Sequence, residues 1–556
     1  MTTPATICAT IERSAKNENE NTHPRASHLS RIMRGISALI LLTSAQILNA
    51  QGYTDLYDFP GNSGACCPSY PSIISQGRDG NLYGITSFGG AHNIGTIFKI
   101  APSGGYTQLF SFDTVHGSTP LGGLLLGLDG NLYGTTEEGG AFGFGNVFRI
   151  TPSGVLTVLH DFTGDSTKDG GFPVSALIIG ADGAMYGTTH PGIVYKITPA
   201  GVLTRIATTP AESYGPLALS RTGAYYGTAE FAGASQNGSI YRVTGSTSTI
   251  LYSFDGPHGQ FPIGGVVEGS DGNLYGTTSS GGTENAGVIF KITPSGTYSV
   301  LYNFSSKNDV TGYQAFAGLI SGSDGNLYGA TIWGGNNGVG VIFEITTGGT
   351  YTPLISFDTP LGAGAYATPM QHTDGSIFGL TKRGGIESDG TIYSFNAGLP
   401  PFVGLTTPVG VVGGSVGILG AGFAGASNVT FNGTPASFRV QSNTYLTATI
   451  PSGETGFVVV TTSGGPLVSN KVFKVVPTVI NFSPSSGKAG DSIVVTGTGL
   501  IQTSTIGIGN VRASSYIVNS DSQVTFIVPS GASTGKIGVI TPGGTALSKA
   551  IFTVTP

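Results

Sequence analysis

Six aspartates, at positions 79, 129, 182, 271, 324 and 374, are each followed directly by glycine. Repeated carboxylates invite a calcium reading, but a calcium loop gathers several oxygen ligands within a few residues. Here each turn offers one carboxylate and at most one other polar side chain, as in Asp79-Gly80-Asn81 or Asp374-Gly375-Ser376. The chemistry that remains is that of a turn, in which Asp accepts a backbone hydrogen bond and Gly supplies the positive φ. Histidines 92, 116, 160, 190, 258 and 372 are scattered without metal-ligand spacing. No Gly-x-Ser-x-Gly, His-Glu-x-x-His or phosphate-loop context occurs. No catalytic residue, resident metal or cofactor is expected.

The better candidates for chemistry lie in the long loops between repeated strands. Phe88, Phe142, Phe144, Phe231 and the sole tryptophan, Trp333, could stack on a ligand. Glu137-Glu138 and Lys382-Arg383 occupy equivalent loop positions, where the plain reading of a like-charge pair is a solvated face. These nine residues form the candidate ligand-binding set. Sites can be assembled from segments distant in sequence, so an acid or base role for Glu137 or Glu138 in a polysaccharide-acting enzyme stays open.

The elements that must position these residues follow from an internal repeat. An aromatic followed by glycine recurs at 83, 133, 186, 226, 275, 328 and 378, at steps of 50, 53, 40, 49, 53 and 50. In the second unit four strands are expected at Leu121–Leu128, Leu132–Thr136, Asn146–Thr151 and Val155–Phe162. Asp-Gly-Asn and Pro-Ser-Gly form the tight turns. Four strands in about 50 residues, seven times over, predict a seven-bladed β-propeller. Residues 53–59 resemble a fourth strand but precede the first complete unit, whereas the seventh unit stops after three strands near Phe395. The N-terminal strand should therefore complete the last blade and close the ring over 51–397. Both classes of long connection fall at one end of the blades, which makes that end the place for binding.

After Gly398 two units, 398–476 and 477–556, align with each other. Gly420-Ala421-Gly422-Phe423 matches Gly497-Thr498-Gly499-Leu500, Pro451-Ser452-Gly453 matches Pro529-Ser530-Gly531, and Gly464-Gly465 matches Gly543-Gly544. Short alternating strands in about 80 residues predict immunoglobulin-like β-sandwiches. On these Gly and Pro positions, both units resemble IPT/TIG domains. The seven units, through Asp-Gly-Asn-Leu-Tyr-Gly-Thr-Thr and Gly-x-Ile-Phe-Lys-Ile-Thr-Pro-Ser-Gly, resemble the GloVer (Gloeo/Verruco) tandem repeat of secreted bacterial proteins. Neither resemblance implies a catalytic reaction, so no functional residue is carried over. The expected fold class is all-β: a seven-bladed propeller followed by two IPT/TIG sandwiches.

Composition agrees with that class. Glycine makes up 91 of 556 residues and charged types only 10%, while apolar types reach 39%. High-charge disorder and long helices are both excluded. The run Ile36–Leu42, after Arg31 and Arg34, reads as a secretory signal within residues 1–50, with Met33 as an alternative start. No later run is long and apolar enough to span a bilayer. The net charge of −6 speaks against nucleic acid as a partner. Cys8, Cys66 and Cys67 fit no zinc pattern, and the adjacent pair reads as a vicinal disulfide or two thiols. The expectation is an exported, non-enzymatic protein at the cell surface, outside it or in the periplasm, which binds extracellular carbohydrate or a surface protein. The rivals are a polysaccharide hydrolase or lyase and a purely structural surface component.

Overall fold

The computed structural model describes residues 52–60, 65–66 and 73–556, apart from the single positions 191, 222 and 308. The expected signal segment, Cys8 and Cys67 lie outside the described residues, as does the side chain of Cys66. The described chain is all-β, with only short 3₁₀ turns. Its first part forms seven four-stranded antiparallel sheets. Sheets 1 to 7 are counted here by their second strands: Leu82–Thr86, Leu132–Thr136, Met185–Thr189, Tyr225–Ala229, Leu274–Thr278, Leu327–Ala330 and Ile377–Leu380.

The repeated phrase acts locally first. Each turn aspartate accepts the backbone N–H two residues on, at 2.8–3.2 Å. In five sheets the carboxylate also accepts the hydroxyl of the repeat tyrosine, at 2.7–3.0 Å. These rings are buried, so the hydrogen bond relieves the cost of taking a hydroxyl out of water. The glycine after the tyrosine serves the third strand. Gly276 pairs with Phe290, whose ring would lie 2.5 Å from a Cβ placed there. The bare backbone lets that ring lie across its neighbour.

The first strand of sheet 2 is shorter than its sequence suggests. It is Leu125–Leu126 rather than 121–128. Gly123 takes φ +85°, which ends extended geometry, and Gly122 approaches the backbone of Ser175 too closely for a side chain. The segments leading into the innermost strands of sheets 2 and 3 thus meet backbone to backbone.

Apolar clusters join each sheet to the next. A seventh cluster, containing Phe59, Leu82, Phe98, Phe378 and Leu380, joins sheet 7 back to sheet 1. Sheet 7 takes its outer strand from Tyr53–Asp58, antiparallel to Thr391–Phe395, with Tyr53 opposite Phe395 and Asp58 opposite Thr391. The register slips once between Asp55 and Tyr57, as the outer strand of sheet 2 slips between Val158 and His160. Residues 53–58 therefore reproduce an outer strand in its irregularity as well as its pairing.

The chain beyond Gly404 repeats one strand plan twice. Gly404–Leu405, Ser415–Leu419, Tyr445–Thr449 and Phe438–Ser442 form one sheet over a second one built on Asn428–Phe431 and Val458–Thr462. Thr478–Ser483, Ser492–Thr498, Gln523–Ile527 and Tyr516–Ser520 repeat the first sheet in the same order. Each pair of sheets encloses one core, and the matched residues Phe423 and Leu500 are both fully buried.

The first of these two units lies against the tight turns of the seven sheets. The Arg78 guanidinium stacks over Tyr445 at 4.4 Å, and the Thr444 hydroxyl donates to the Arg78 carbonyl at 2.7 Å. The Lys474 ammonium donates to the Ser220 carbonyl at 3.3 Å, and the Phe402 N–H donates to the Thr373 carbonyl at 3.0 Å. Contacts to sheets 1, 4 and 7 spread this support around the ring and leave the opposite, long-loop end uncovered by it.

Candidate ligand-binding face

The long-loop end is built from two positions that recur in each repeat. One lies four residues after the repeat aromatic, where the second strand ends; it holds Glu137, His190, Glu230, Ile332 and Lys382 in sheets 2, 3, 4, 6 and 7. The other lies twelve residues before that aromatic, where the chain enters the innermost strand; it holds Val174, Tyr214, Ile263, Phe316 and Tyr366 in sheets 3 to 7. Fixed strand and turn lengths bring the two positions together at one end of each sheet.

In sheets 6 and 7 these positions form an aromatic group with two cations. The Arg383 guanidinium lies over the Trp333 ring at 5.0 Å and donates to the Tyr366 hydroxyl at 3.4 Å. The Lys382 ammonium lies over the Tyr366 ring at 5.0 Å, and Tyr366 packs on Phe316 with ring centres 5.3 Å apart. Two backbone bridges hold the group, Tyr313 with Trp333 and Ala363 with Arg383. Burial, followed by repulsion from Arg383, lowers the pKa of the Lys382 ammonium. Trp333, Phe316 and Tyr366 are all half-buried, which leaves part of each ring for contact.

In sheets 2 and 4 the first of these positions carries acid, as Glu137 and Glu230, with Glu138 and Glu212 close in sequence to these positions. A cavity of about 390 Å³ is lined by Glu137, Glu138, Glu212, His190, Tyr214 and Phe172. His190 Nδ1 lies 3.0 Å from one Glu212 oxygen, and the Tyr214 hydroxyl donates to the other at 3.0 Å. Burial, and then repulsion from Glu212, pushes the Glu230 carboxyl up to about 7. Burial and Glu138 raise Glu137. This arc can accept hydrogen bonds from hydroxyls or hold a positive charge.

The nine sequence candidates separate accordingly. Trp333, Lys382 and Arg383 come together, and so do Glu137 and Glu138. Phe88, Phe142 and Phe231 remain exposed at 47%, 59% and 46%. Phe88 sits in a short pairing with Ala65–Cys66, and Phe231 packs on Phe261. Phe144 instead packs inward on Phe172, with ring centres 5.3 Å apart, beside the core between sheets 2 and 3. Sequence reasoning missed Tyr366, Phe316, Tyr214, Glu212 and Glu230. The column twelve residues before the repeat aromatic would have revealed the first three.

His116, His160, His190, His258 and His372 each sit 2.7–3.0 Å from a carboxylate, His160 within the outer strand of sheet 2 and the others outside the strands. Among the described residues no group of three or more His, Cys, Asp or Glu could hold a metal ion. No helix of the described residues is long and apolar enough to cross a membrane.

The family model for the Gloeobacter/Verrucomicrobia repeat matches residues 46–198 and 212–401, more than half of the chain. The chain belongs to the Gloeobacter/Verrucomicrobia repeat family. The gap in the match falls at the junction of sheets 3 and 4, where this member of the family has its shortest repeat step. No curated protein matches the chain. Among solved structures, a surface glycan-binding protein of Prevotella bryantii is 16% identical over 26% of this chain and 38% of its own, with a TM-score of 0.21. This chain thus spans well under half the length of that protein. The extracellular domain of a hybrid two-component system protein of B. thetaiotaomicron is 14% identical over 86% of this chain and 64% of its own, with a TM-score of 0.42. A fungal alcohol oxidase solved in complex with copper is 14% identical over 77% of this chain and 100% of its own, with a TM-score of 0.43.

Proposed function

We propose that this member of the Gloeobacter/Verrucomicrobia repeat family is an exported carbohydrate-binding protein acting at or beyond the cell surface. Residues 1–50 serve as the export signal. Residues 51–397 form a seven-bladed β-propeller whose long-loop face recognises the ligand. Residues 398–476 and 477–556 are two immunoglobulin-like modules of IPT/TIG type that hold the ring away from its attachment. The observation that carries this reading is the group of Trp333, Phe316 and Tyr366 at the one end of the ring that the first module leaves uncovered. Rigid aromatic faces flanked by a few polar groups suit the flat, partly apolar face of a sugar ring.

The test is a glycan screen of the full chain, followed by calorimetry on each hit. Trp333→Ala should weaken binding about tenfold, near 1.4 kcal/mol, with the unfolding midpoint unchanged. An absence of glycan binding, or full affinity in the variant, would refute the assignment.

A second reading is favoured by one observation, the Glu230 carboxyl at about 7 beside Glu212. A carboxylic acid near neutrality suits general acid–base work, which supports a polysaccharide-acting enzyme. Turnover of a polysaccharide that disappears in Glu230→Gln would decide for this reading.

A further inference from the structure

The cations beside Trp333 determine more than the presence of a binding face. Several other cations of the ring meet carboxylates: Lys196 pairs with Asp182 at 3.2 Å, Arg221 with Glu268 at 2.9 Å and Lys291 with Asp271 at 2.9 Å. Arg383 forms no ion pair among the described residues. Its guanidinium faces the Trp333 ring and the Tyr366 hydroxyl, and the next cation, Lys382, shares the same aromatic patch. Two neighbouring positive charges repel each other, and burial of Lys382 adds to that cost. An anion bound between them would relieve it.

The repeat shows how local this feature is. The position held by Lys382 in sheet 7 holds Ser87, Glu137, His190, Glu230, Ser279 and Ile332 in sheets 1 to 6. Cationic charge at this position is thus confined to one side of the face, with Glu137, Glu138, Glu212 and Glu230 displaced around the ring from it. An anionic group is repelled from the acidic arc and attracted to sheets 6 and 7. The overall charge of −6 opposes a long polyanion such as nucleic acid. A sugar ring bearing one charge satisfies both conditions, stacking on an aromatic face while its anion meets the guanidinium fork.

We propose that the Trp333–Tyr366–Lys382–Arg383 group is a subsite for an anionic saccharide, whose acidic group pairs with Arg383 and Lys382 while its ring stacks on the aromatic patch. This rests on the carbohydrate reading above and narrows it. The charge can come from a uronate carboxylate or from a sulfate ester. The planar guanidinium can form two parallel hydrogen bonds to a carboxylate.

The experiment is calorimetric titration of the full chain with three probes: a tetragalacturonate, its carboxyl-reduced neutral counterpart and a sulfated galactan tetrasaccharide. At least tenfold tighter binding of either acidic probe than of the neutral one is expected, with the tighter acid identifying the source of the charge. Arg383→Gln should erase that preference. Arg383→Lys, which keeps the charge and loses the fork, should retain sulfate binding and lose most of any uronate advantage. Equal binding of acidic and neutral probes overturns this inference and leaves the carbohydrate reading standing. Binding of none of the three overturns both. Unchanged thermal midpoints in both Arg383 variants establish that any loss is local.

Discussion

The strand that closes the ring carries two carboxylates close together, and this makes closure sensitive to pH. Asp55 and Asp58 lie on the same strand, on either side of the register slip. Asp58 accepts the Ile386 N–H at 3.3 Å and so ties the clasp to the loop of sheet 7. Asp55 accepts the Tyr57 N–H at 3.2 Å. Burial first, and then repulsion from Asp58, pushes the Asp55 carboxyl from 3.8 to about 6. The folded state therefore holds this proton more tightly than the unfolded chain does. The resulting stabilisation is fully present below pH 4 and is lost as pH rises through 6. Two pKa units correspond to about 2.7 kcal/mol, and solvent screening at a half-buried site reduces this to about 1–2 kcal/mol. Asp55→Asn keeps the acceptor for Tyr57 and removes the charge. It should stabilise the protein by about 1–2 kcal/mol at pH 7 in urea unfolding, with the gain vanishing at pH 4. A variant less stable than the parent at pH 7, or equally stabilised at both pH values, would refute the reasoning.

Other consequences follow from the repeat and its closure. Tyr275→Phe removes a 2.7 Å hydrogen bond to Asp271 and should cost about 1 kcal/mol in urea unfolding. Gly276→Ala places a methyl 2.5 Å from the Phe290 ring and should cost about 1–3 kcal/mol by the same measurement. Thr54 and Ser394 are direct cross-strand partners, so Thr54→Cys with Ser394→Cys should form an intramolecular disulfide. Mass spectrometry of the linked peptide checks it, and exclusively intermolecular linkage would contradict closure.

Much of the ring was legible because its strongest signals are local. Asp-Gly-Asn sets a turn within four residues, and a misplaced outer strand at 53–59 is visible from counting alone. The innermost strands were harder to bound, since Gly122 and Gly123 sit inside an apolar run and end the strand through backbone approach to another sheet. The candidate face was legible only in part. Trp333 stood out by its type, whereas Tyr366 and Phe316 look like ordinary loop aromatics until the ring brings them beside it. Lys382 and Arg383 read as solvated charges because a linear sequence does not reveal the rings beneath them. Phe144 read as a loop aromatic, but Phe172, 28 residues later, draws it inward.

Hydroxyl-radical footprinting of the full chain, with and without a saturating oligosaccharide, tests the central claim most directly. The account predicts protection of Trp333 and Tyr366, with Tyr445 and Tyr516 on the two C-terminal units unaffected. Protection confined to residues 404–556, with Trp333 and Tyr366 oxidised as fast as in the free protein, would contradict it.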